Sequence, residues 1–287
     1  MPIVVTGATG QLGRLVVESL LEKVPAEQIV AAGRNVKKVA DLAERGVQVR
    51  RIDFDQPETL TAAFAGADKL LLVSSLGPDE LRIVQHRAAV QAAKDAGVGL
   101  LVYTSITDAD TSPLTLARNV HKPTEQAIKE SGLRYVLLRN AMYTENWTAT
   151  LRQAVEQGSI VANAGDGRIV TAARADLAAA AAAVLTGDGH EGKTYELTGT
   201  EAWSFADLAA QAAAVSGKPV TYQDVSDETM LSILTGPAGL PQFVAEQFVE
   251  IQAAIRAGHL AQKTDDLAML IGRAPTGLAK AVAAALA

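Results

Sequence analysis

The sequence predicts an α/β fold in which a doubly wound parallel sheet is followed by a smaller, mixed α/β lobe. Two observations support this prediction. Short β-branched runs alternate with amphipathic helical stretches up to about residue 140, as in a chain of β-α-β units. A glycine-rich segment, TGATGQLG at residues 6–13, lies between the first such run and the first helical stretch. After residue 140 the regular alternation stops.

The first part, residues 1–140, contains a series of predicted strands and helices. The strands, in chain order, are PIVVTG, QIVAAGR, VQVRRIDF, KLLLVSS, VGLLVYTS and RYVLLRN. The helices between them are expected over Gln11–Glu22, Val36–Arg45, Pro57–Ala65 and Asp79–Ala96, with a last helix that ends near Ser131. Strands joined in this way form a parallel sheet with helices on both faces, and ligands bind at the carboxyl ends of its strands.

Residues 141–287 are expected to form the smaller lobe, packed over those strand ends. Helical stretches dominate here, and they are interrupted by Gly/Pro breaks such as TGPAGLP. The segments KTYELTG and KPVTYQDV are short strand candidates. No internal repeat or low-complexity linker separates the two parts, so the boundary at residue 140 is a soft one.

The composition fits a globular protein with a sizeable core and excludes several classes of function. Hydrophobic residues make up 48% of the 287 residues, and the formal net charge is −6. Nucleic-acid binding as the main function is disfavoured. It needs clustered Lys and Arg for the phosphates and aromatic residues to stack on bases, and aromatic residues are only 4% here. The absence of cysteine excludes disulfides, thiolate nucleophiles and cysteine-ligated metals, and the sequence predicts no other metal site.

Neither export nor membrane insertion is expected. The chain enters an apolar strand at once, without a basic region or a small-residue cleavage site. The Ala-rich stretch RADLAAAAAAVLTGDGH is apolar over only about ten residues, which is too short to span a bilayer. We therefore expect a soluble, cytoplasmic protein.

The glycine-rich segment predicts a loop that binds a dinucleotide. Gly7 can allow the tight turn, Gly10 can let the backbone approach a pyrophosphate, and Gly13 can allow close packing of helix on strand. The N-terminus of the following helix then offers unpaired N–H groups to the phosphates. A glycine-rich turn without a ligand is the alternative. No GK[ST] follows, which excludes a P-loop NTPase.

The end of the second strand indicates which dinucleotide is bound. Arg34 stands where NAD-specific folds place an Asp or Glu, and Lys37 and Lys38 follow it. A guanidinium can bind a 2′-phosphate, so NADP(H) is the predicted cofactor, although ordinary solvated charge at a helix start remains the alternative. Asp53, past the third strand, lies where an acceptor for the adenine edge is expected, or it caps the next helix.

The usual acid–base pair for alcohol chemistry is missing. Such folds often carry a Tyr and a Lys four residues apart on a helix, where the ammonium lowers the phenol pKa. None of the five tyrosines has a lysine at that spacing: Tyr103, Tyr135, Tyr143, Tyr195 and Tyr222. This disfavours epimerases and alcohol dehydrogenases. It favours acceptors such as quinones or extended conjugated cations, which need orientation more than a tuned acid.

His121 and Glu125 occupy the region where a catalytic pair is expected. They are four residues apart after the fifth strand, so they can form a polar pair that faces the nicotinamide, with His121 as proton donor or hydrogen-bond donor to substrate. Alternatively, His121 is a surface histidine, and Glu125 only favours the helix dipole.

Many segments together resemble the NmrA-like, atypical short-chain dehydrogenase/reductases, which have a Rossmann fold. Within that family the resemblance is greatest to the type 2 NAD(P)H:quinone oxidoreductases, with triphenylmethane reductases as near kin. It covers nearly the whole chain, and its marks are TGATGQLG, RNVKK, AAKDAGV, YTS, DTSPL, His121–Glu125 as H-x-x-T-E, LLRNAMYTENW, NAGDGRI, TAARADLAAAAA, GHEGKTYEL and SGKPVTYQ.

The resemblance implies a set of cofactor contacts. Arg34 is implied at the adenosine phosphate, and Ser74 and Ser75 at the nicotinamide ribose. Arg174 is implied to complete the cofactor site. The loop residues implied at the pyrophosphate are Thr6, Gly7, Ala8, Thr9, Gly10 and Gln11. The residues implied beside the nicotinamide are Asn140, Ala141, Met142, Tyr143, Thr144 and Glu145. Ser74, Ser75 and Asn140 also follow strands at the carboxyl edge of the predicted sheet.

Tyr143, Asn146 and Trp147 are the candidates for the substrate pocket, with His121 opposite them. An aromatic platform with a polar handle suits a quinone stacked on the nicotinamide. The alternative is that these residues pack a hinge between the lobes.

The leading hypothesis for function is an NADPH-dependent reductase that passes hydride directly to a quinone or similar conjugated aromatic substrate, without flavin. A second hypothesis is a redox sensor like the NmrA-like regulators, which bind the dinucleotide and a protein partner without catalysis. A third is a reductase of triphenylmethane dyes or other xenobiotics. Homodimers are common among such folds, but no residue requires one.

Overall fold

The structure is a computed structural model that describes residues 2–287. Its strands are β1 (Ile3–Val5), β2 (Ile29–Gly33), β3 (Gln48–Arg51), β4 (Lys69–Leu72), β5 (Leu100–Ile106), β6 (Tyr135–Asn140), β7 (Met142–Tyr143), β8 (Ser159–Ala162), β9 (Ile169–Ala172), β10 (Thr194–Leu197), β11 (Ala202–Trp203) and β12 (Thr221–Asp224). Its α-helices are α1 (Gln11–Leu21), α2 (Ala40–Glu44), α3 (Glu58–Phe64), α4 (Asp79–Asp95), α5 (Lys122–Glu130), α6 (Glu145–Thr148), α7 (Leu151–Gln157), α8 (Arg174–Thr186), α9 (Phe205–Ser216), α10 (Asp227–Thr235), α11 (Gln242–Arg256), α12 (Asp266–Ile271) and α13 (Leu278–Leu286).

A seven-stranded sheet forms the centre of the molecule, with strand order β3-β2-β1-β4-β5-β6-β10. All of its neighbouring strands are parallel, and Val4 of β1 pairs with Val30 of β2 and Leu70 of β4. The strand order reverses at β1, which opens a crevice between β1 and β4 at the carboxyl edge. The predicted doubly wound parallel sheet is confirmed.

Apolar side chains cover both faces of this sheet. On one face Val16 and Leu20 of α1 pack with the alanines of α8 against alternate residues of the strands. On the other face Leu60 and Phe64 of α3 pack with Val90 of α4. Because β1, β2 and β4–β6 are buried on both faces, they are nearly continuous apolar runs in the sequence.

The chain beyond residue 140 is interleaved with the first part. The strand β10 extends the large sheet beside β6, and α8 packs on α1, so residues 174–197 return to the first layer. The remaining segments form a three-stranded sheet, β11-β9-β7, and a two-stranded sheet, β12-β8, around a core of their own. The small side chains of the alanine run in α8 let that helix lie close to α1. Within residues 2–287, no helix combines the length and the apolar character that a bilayer crossing requires.

Two predicted helices differ in the structure. The stretch expected over Val36–Arg45 begins as a 3-10 turn, Val36–Val39, and only its second half is α-helical. The helix after β5 contains a π-helical turn at Ala117–His121, directly before α5. Pro123 has no N–H for the carbonyl one turn earlier, and we attribute the widened turn to this missing donor.

Candidate active site

The glycine-rich loop joins β1 to α1 with the geometry that a dinucleotide loop needs. Gly7 has a φ of +64°, which favours glycine, and a side chain on Gly13 would overlap the carbonyl oxygen of Gly7. Gly33, at the end of β2, is also constrained, because its Cβ would lie 2.7 Å from Cγ2 of Thr9. Gly10 is exposed and provides no side chain to cap α1, so the first N–H groups of the helix face outward.

Four residues assigned to cofactor contact have their N–H groups bonded inside the fold instead. The N–H groups of Thr6, Ala8, Ala141 and Thr144 donate to carbonyl oxygens of neighbouring strands or strand ends, at 3.0–3.1 Å. All four side chains are buried. The reason is that each residue continues a strand for one or two positions before the chain turns. They shape the loop and the segment after β6 but offer no free N–H to a ligand.

Arg34 and Asp53 lie at the other end of the crevice. The Arg34 side chain follows β2 and is 73% exposed, and its Nη1 lies 3.9 Å from Oδ2 of Asp55. Such a weak pairing leaves the guanidinium available to a phosphate. Asp53 does not cap α3, which begins at Glu58. Its Oδ1 accepts the N–H of Asp55 at 3.2 Å, which closes a local turn after β3.

Ser74 and Ser75 follow β4 and are held by a buried histidine. The Ser75 N–H donates to Nε2 of His86 at 3.0 Å, so this ring nitrogen is an acceptor and Nδ1 carries the hydrogen. Nδ1 lies 3.0 Å from the Thr124 hydroxyl, which in turn donates to the Val120 carbonyl at 2.6 Å. Burial, together with the nearby charge of Arg82, lowers the pKa of His86 to about 3. His86 is therefore a neutral clamp on the segment Ser74–Ser75.

His121 is inside the protein rather than on the surface. It is 5% exposed, and its Nδ1 lies 2.9 Å from the Tyr103 hydroxyl. Burial lowers the pKa of His121 well below its usual value, and the nearby Arg82 and His86 lower it further. The ring is neutral near pH 7, which favours the predicted role of hydrogen-bond donor to substrate over that of proton donor. A neutral imidazole can still donate one hydrogen bond.

Glu125 does not pair with His121, so the predicted polar pair of these two residues is wrong. Its carboxylate accepts two hydrogen bonds from Arg139, at 2.9 and 2.6 Å, and one from the Ser105 hydroxyl at 2.6 Å. Glu125 is 2% exposed, and Arg139 also binds Glu196 at 3.0 Å. A buried carboxylate needs such partners, and β6 supplies the guanidinium on the face that α5 covers. Glu125 thus joins α5 to the sheet.

Arg174 gathers several predicted residues on one wall of the site. Its guanidinium lies 4.5 Å from the ring centre of Tyr143, and its Nη2 donates to Oδ1 of Asn146 at 2.9 Å. Glu145 accepts the Arg174 N–H at 2.9 Å and so caps α8. An open cleft of about 760 Å³ brings Gln11 of the glycine loop to the same place, and its lining includes Gln11, Arg14, Glu145, Asn146, Arg152 and Arg174.

Trp147 is in the core of the second lobe, which corrects its assignment to substrate. Its side chain is 7% exposed and meets Trp203 edge to face, with ring centres 5.8 Å apart. It also packs edge-on to Phe205, at 6.3 Å. The helical turn of α6 directs Asn146 to the cleft and the next residue to the core, so Trp147 offers no platform to a ligand.

The residues at the carboxyl edge suit a dinucleotide. Oδ1 of Asn140, at the end of β6, is buried and has no hydrogen-bond partner in the described chain. Such an oxygen suits a donor on a ligand, as a carboxamide or a ribose hydroxyl would provide. Met142 lies beside it and lines a small cavity of about 20 Å³ behind the site. Across residues 2–287, no group of three or more His, Asp or Glu side chains is arranged to hold a metal ion.

Three residues at this site were not predicted from the sequence: Arg82, His86 and Tyr103. Arg82 and His86 are one turn apart on α4 and face inward. Charged residues in an amphipathic stretch normally indicate the solvent face, so the pattern pointed the wrong way. Tyr103 stands in the apolar run of β5, where it is typical of a core residue. For Arg82 and His86, only their position on the helix that follows the carboxyl end of β4 could have suggested them.

Comparisons with known proteins agree with this geometry. The NAD(P)H-binding family matches residues 7–188. Quinone oxidoreductase 2 of Escherichia coli is 46% identical over 280 residues, which are 98% of this chain and 97% of that protein. An NAD(P)H azoreductase of Xenophilus azovorans is 35% identical over 94% of this chain and 93% of its own. The crystal structure of Citrobacter sp. triphenylmethane reductase with NADP(H) superimposes with a TM-score of 0.94, at 46% identity, over 99% of this chain and 100% of that one.

Proposed function

We propose that this chain, which belongs to the NAD(P)H-binding, NmrA-like family, is an NADPH-dependent oxidoreductase that transfers hydride directly to a quinone. The proposal combines two properties of the site. One end has the loop and the cation that suit a phosphorylated dinucleotide. The other end lacks the tyrosine–lysine pair that alcohol substrates need.

The observation that supports the cofactor most directly is the arrangement along the carboxyl edge. The loop of Gly7 and Gly10, the segment Ser74–Ser75 and Asn140 follow β1, β4 and β6 in turn. The exposed guanidinium of Arg34 lies past β2, where a 2′-phosphate is expected. These positions lie at the strand ends where a dinucleotide binds across the switch point of a doubly wound sheet.

The residues of the chain hold and orient the reactants in this proposal. NADPH, when bound, supplies the hydride. Ser74 and Ser75, clamped by His86, fix one side of the nicotinamide position, and Asn140 offers its free oxygen to the other. Tyr143, held by Arg174, provides the aromatic face next to that position. Orientation of this kind is the main contribution that a protein makes to hydride transfer.

Quinones suit this site because the described residues offer little acid catalysis. Burial leaves His86 and His121 neutral, and burial raises the pKa of Tyr143. A quinone delocalises the arriving electron pair and can take its proton from water. The neutral His121 is expected to donate a hydrogen bond to the acceptor rather than a proton.

A panel assay tests the proposal. The purified protein is mixed with NADPH and benzoquinone, a naphthoquinone or a cationic triphenylmethane dye, and loss of the reduced-nicotinamide absorbance is followed. Faster oxidation with the quinones supports the proposal. Oxidation with the dye alone would replace the quinone by a conjugated cation, which the likeness to triphenylmethane reductase makes the second candidate. NADPH binding without oxidation by any acceptor would contradict an enzymatic function and favour a redox sensor.

A further inference from the structure

Arg82 is a buried cation that the protein does not fully satisfy. The side chain lies on the inward face of α4 and is 5% exposed. Its Nη2 donates to the Ser74 hydroxyl at 2.8 Å, which is its one hydrogen bond to residues 2–287. Its Nε is buried and has no partner in that range. A guanidinium has five N–H donors, and leaving most of them unused inside a protein is unfavourable.

The nearest carboxylate forms only a long ion pair with Arg82. Oδ1 of Asp79 lies 4.0 Å from Nη1 of Arg82, beyond hydrogen-bond distance. The same carboxylate is already approached by Asn119 at 3.3 Å and by Gln247 at 3.5 Å. Glu125, a buried carboxylate of α5, is bonded to Arg139 instead. Arg82 is therefore a buried cation with unused N–H donors and only a long ion pair.

The charge lies beside a residue of the proposed nicotinamide position. Arg82 is bonded to Ser74, which borders the proposed nicotinamide position. It also acts on the two residues proposed to contact the acceptor. Burial raises the pKa of Tyr143 against the lowering effects of Asn140, Arg174 and Arg82, and burial together with Arg82 lowers the pKa of His121. Arg82 is thus within electrostatic reach of both residues that the proposed function assigns to the acceptor.

We propose that the guanidinium of Arg82 binds the acceptor oxygen that becomes negatively charged when hydride arrives. The inference rests on the proposed function, and it assigns the acceptor to the conjugated carbonyl compounds. A preorganised donor in a dry site stabilises developing charge more strongly than water does, because the protein need not reorganise. Arg82 is then a catalytic residue of the reduction, since it touches the reacting compound.

The step balances without any further reactant. The acceptor gains a hydrogen with its bonding electron pair at one end of its conjugated dicarbonyl system, and NADPH is oxidised to NADP⁺. The electron pair passes through the ring, and the far carbonyl oxygen becomes a phenolate opposite Arg82. That oxygen then takes a proton from water, which gives the neutral hydroquinone.

A cationic dye makes the opposite demand on the same residue. Hydride bonds to its central carbon and cancels its positive charge, so no oxyanion forms and no proton is needed. A guanidinium beside the pocket repels such a cation. Loss of the Arg82 charge should therefore separate the two kinds of acceptor, whereas simple damage to the pocket would slow both.

The kinetic test compares Arg82→Met with wild type. We expect kcat with benzoquinone to fall by about 10²–10³-fold, the usual effect of losing one oxyanion donor. Turnover of the cationic dye should stay the same or rise. Arg87→Met removes an exposed arginine from the same helix and should change neither rate. If Arg82→Met does not fold, Arg82→Gln can still bond Ser74 and should give the same separation.

A binding experiment tests, without catalytic turnover, whether Arg82 stabilises a bound oxyanion. Titration of 4-nitrophenol bound to the NADP⁺ complex should show its pKa lowered by about 1–3 pH units in wild type, as expected beside a cation, and not lowered in Arg82→Met. Equal losses with quinone and dye, or a bound phenol that titrates alike in both proteins, would overturn the role of Arg82. If wild type reduces no quinone, the proposed function fails, while the phenol titration still decides whether Arg82 binds an oxyanion.

Discussion

At the scale of single residues, cofactor preference depends on Arg34. We predict that Arg34→Asp weakens NADPH binding by on the order of 1.5–3 kcal/mol, because a charged contact to the 2′-phosphate is replaced by repulsion. NADH binding should change little. Dissociation constants for both dinucleotides, measured by quenching of protein fluorescence, check this. The matched control is Arg45→Asp, an exposed arginine on the far side of α2 that pairs with Glu18. Equal losses for NADPH and NADH would show that Arg34 is not the determinant.

The buried histidines predict how stability depends on pH. The pKa of His86 is lowered to about 3, and that of His121 is also lowered, so the unfolded chain binds protons first as the pH falls. Their contribution to stability is complete above about pH 6.5 and is lost as the pH falls below it, at about 1.4 kcal/mol per pH unit for each ring, and for His86 the loss continues to about pH 3. Urea unfolding between about pH 6.5 and 5 measures this slope.

His121→Gln should remove about half of that slope, because one of the two rings no longer titrates. His259→Gln, which changes an exposed histidine, serves as the control and should leave the slope as it is. A slope that is unaffected by His121→Gln would mean that the buried ring is already protonated in the folded protein.

The sequence predicted individual residues well where the backbone decided their role. Gly7, Gly13 and Ser75 lie where the loop and strand pattern placed them, since a strand followed by a tight turn leaves few positions for them. The sequence did not predict whether a side chain faces the core or the cleft where both directions were open to it. Trp147 and Asn146 are adjacent on α6, and only tertiary packing decides which of them faces the core.

At the scale of elements, the junction of β1 and α1 provides a test of the loop. Gly13→Ala would place a methyl group on the Gly7 carbonyl, so the helix must shift. We predict a loss of stability of about 1–3 kcal/mol, typical of overpacking, together with loss of NADPH binding. In Gly10→Ala the new Cβ would lie 3.3 Å from the same oxygen but on the exposed side.

Gly10→Ala is therefore the matched comparison. It should keep most of the melting temperature while weakening NADPH binding, because its methyl group points to the proposed phosphate position. Thermal unfolding and NADPH titration of both variants separate the two effects. If Gly10→Ala binds NADPH as wild type does, the phosphates do not pass over this part of the loop.

The attachment of α5 to the sheet depends on Glu125. Glu125→Gln removes the most buried of the carboxylates that bond Arg139, while Asp110 and Glu196 remain, and we expect a loss of about 1.5–3 kcal/mol in unfolding free energy. The KM for quinone of the folded fraction should stay unchanged, because Glu125 does not face the acceptor. Glu130→Gln changes an exposed carboxylate on the same helix and should be neutral. A change in KM with intact stability would return Glu125 to the active site.

Elements were predictable where periodicity was strong, as in α1 and β4–β6. The π-helical turn at Ala117–His121 was not predictable. Pro123 is typical of the first turn of a helix, so the sequence pattern predicts that the helix starts near this residue. The structure continues the helix backward through a widened turn. That turn directs His121 inward to Tyr103, and this local irregularity explains why a surface position was an open alternative for the histidine.

At the scale of the whole molecule, the interleaving of the two parts connects cofactor and acceptor. The segment 141–173 supplies Glu145 and Asn146 to the cleft before the chain returns to the large sheet through α8 and β10. The Ala-rich helix α8 connects the two parts of the chain. It packs on α1 of the first part, and its first residue, Arg174, lines the cleft. A boundary at residue 140 follows from the change in sequence pattern, whereas the return of the chain depends on long-range pairing that no local pattern records.

The central claim is that hydride passes directly from NADPH to the quinone in this cleft, without flavin. An anaerobic single-turnover experiment with NADPH deuterated at the transferred position tests it most directly, on protein whose absorption spectrum shows no flavin. The account predicts that NADPH oxidation and quinone reduction proceed at one common rate, with one-to-one stoichiometry, and that deuterium slows both. Oxidation of NADPH ahead of quinone reduction, or turnover only after flavin is added, would contradict it.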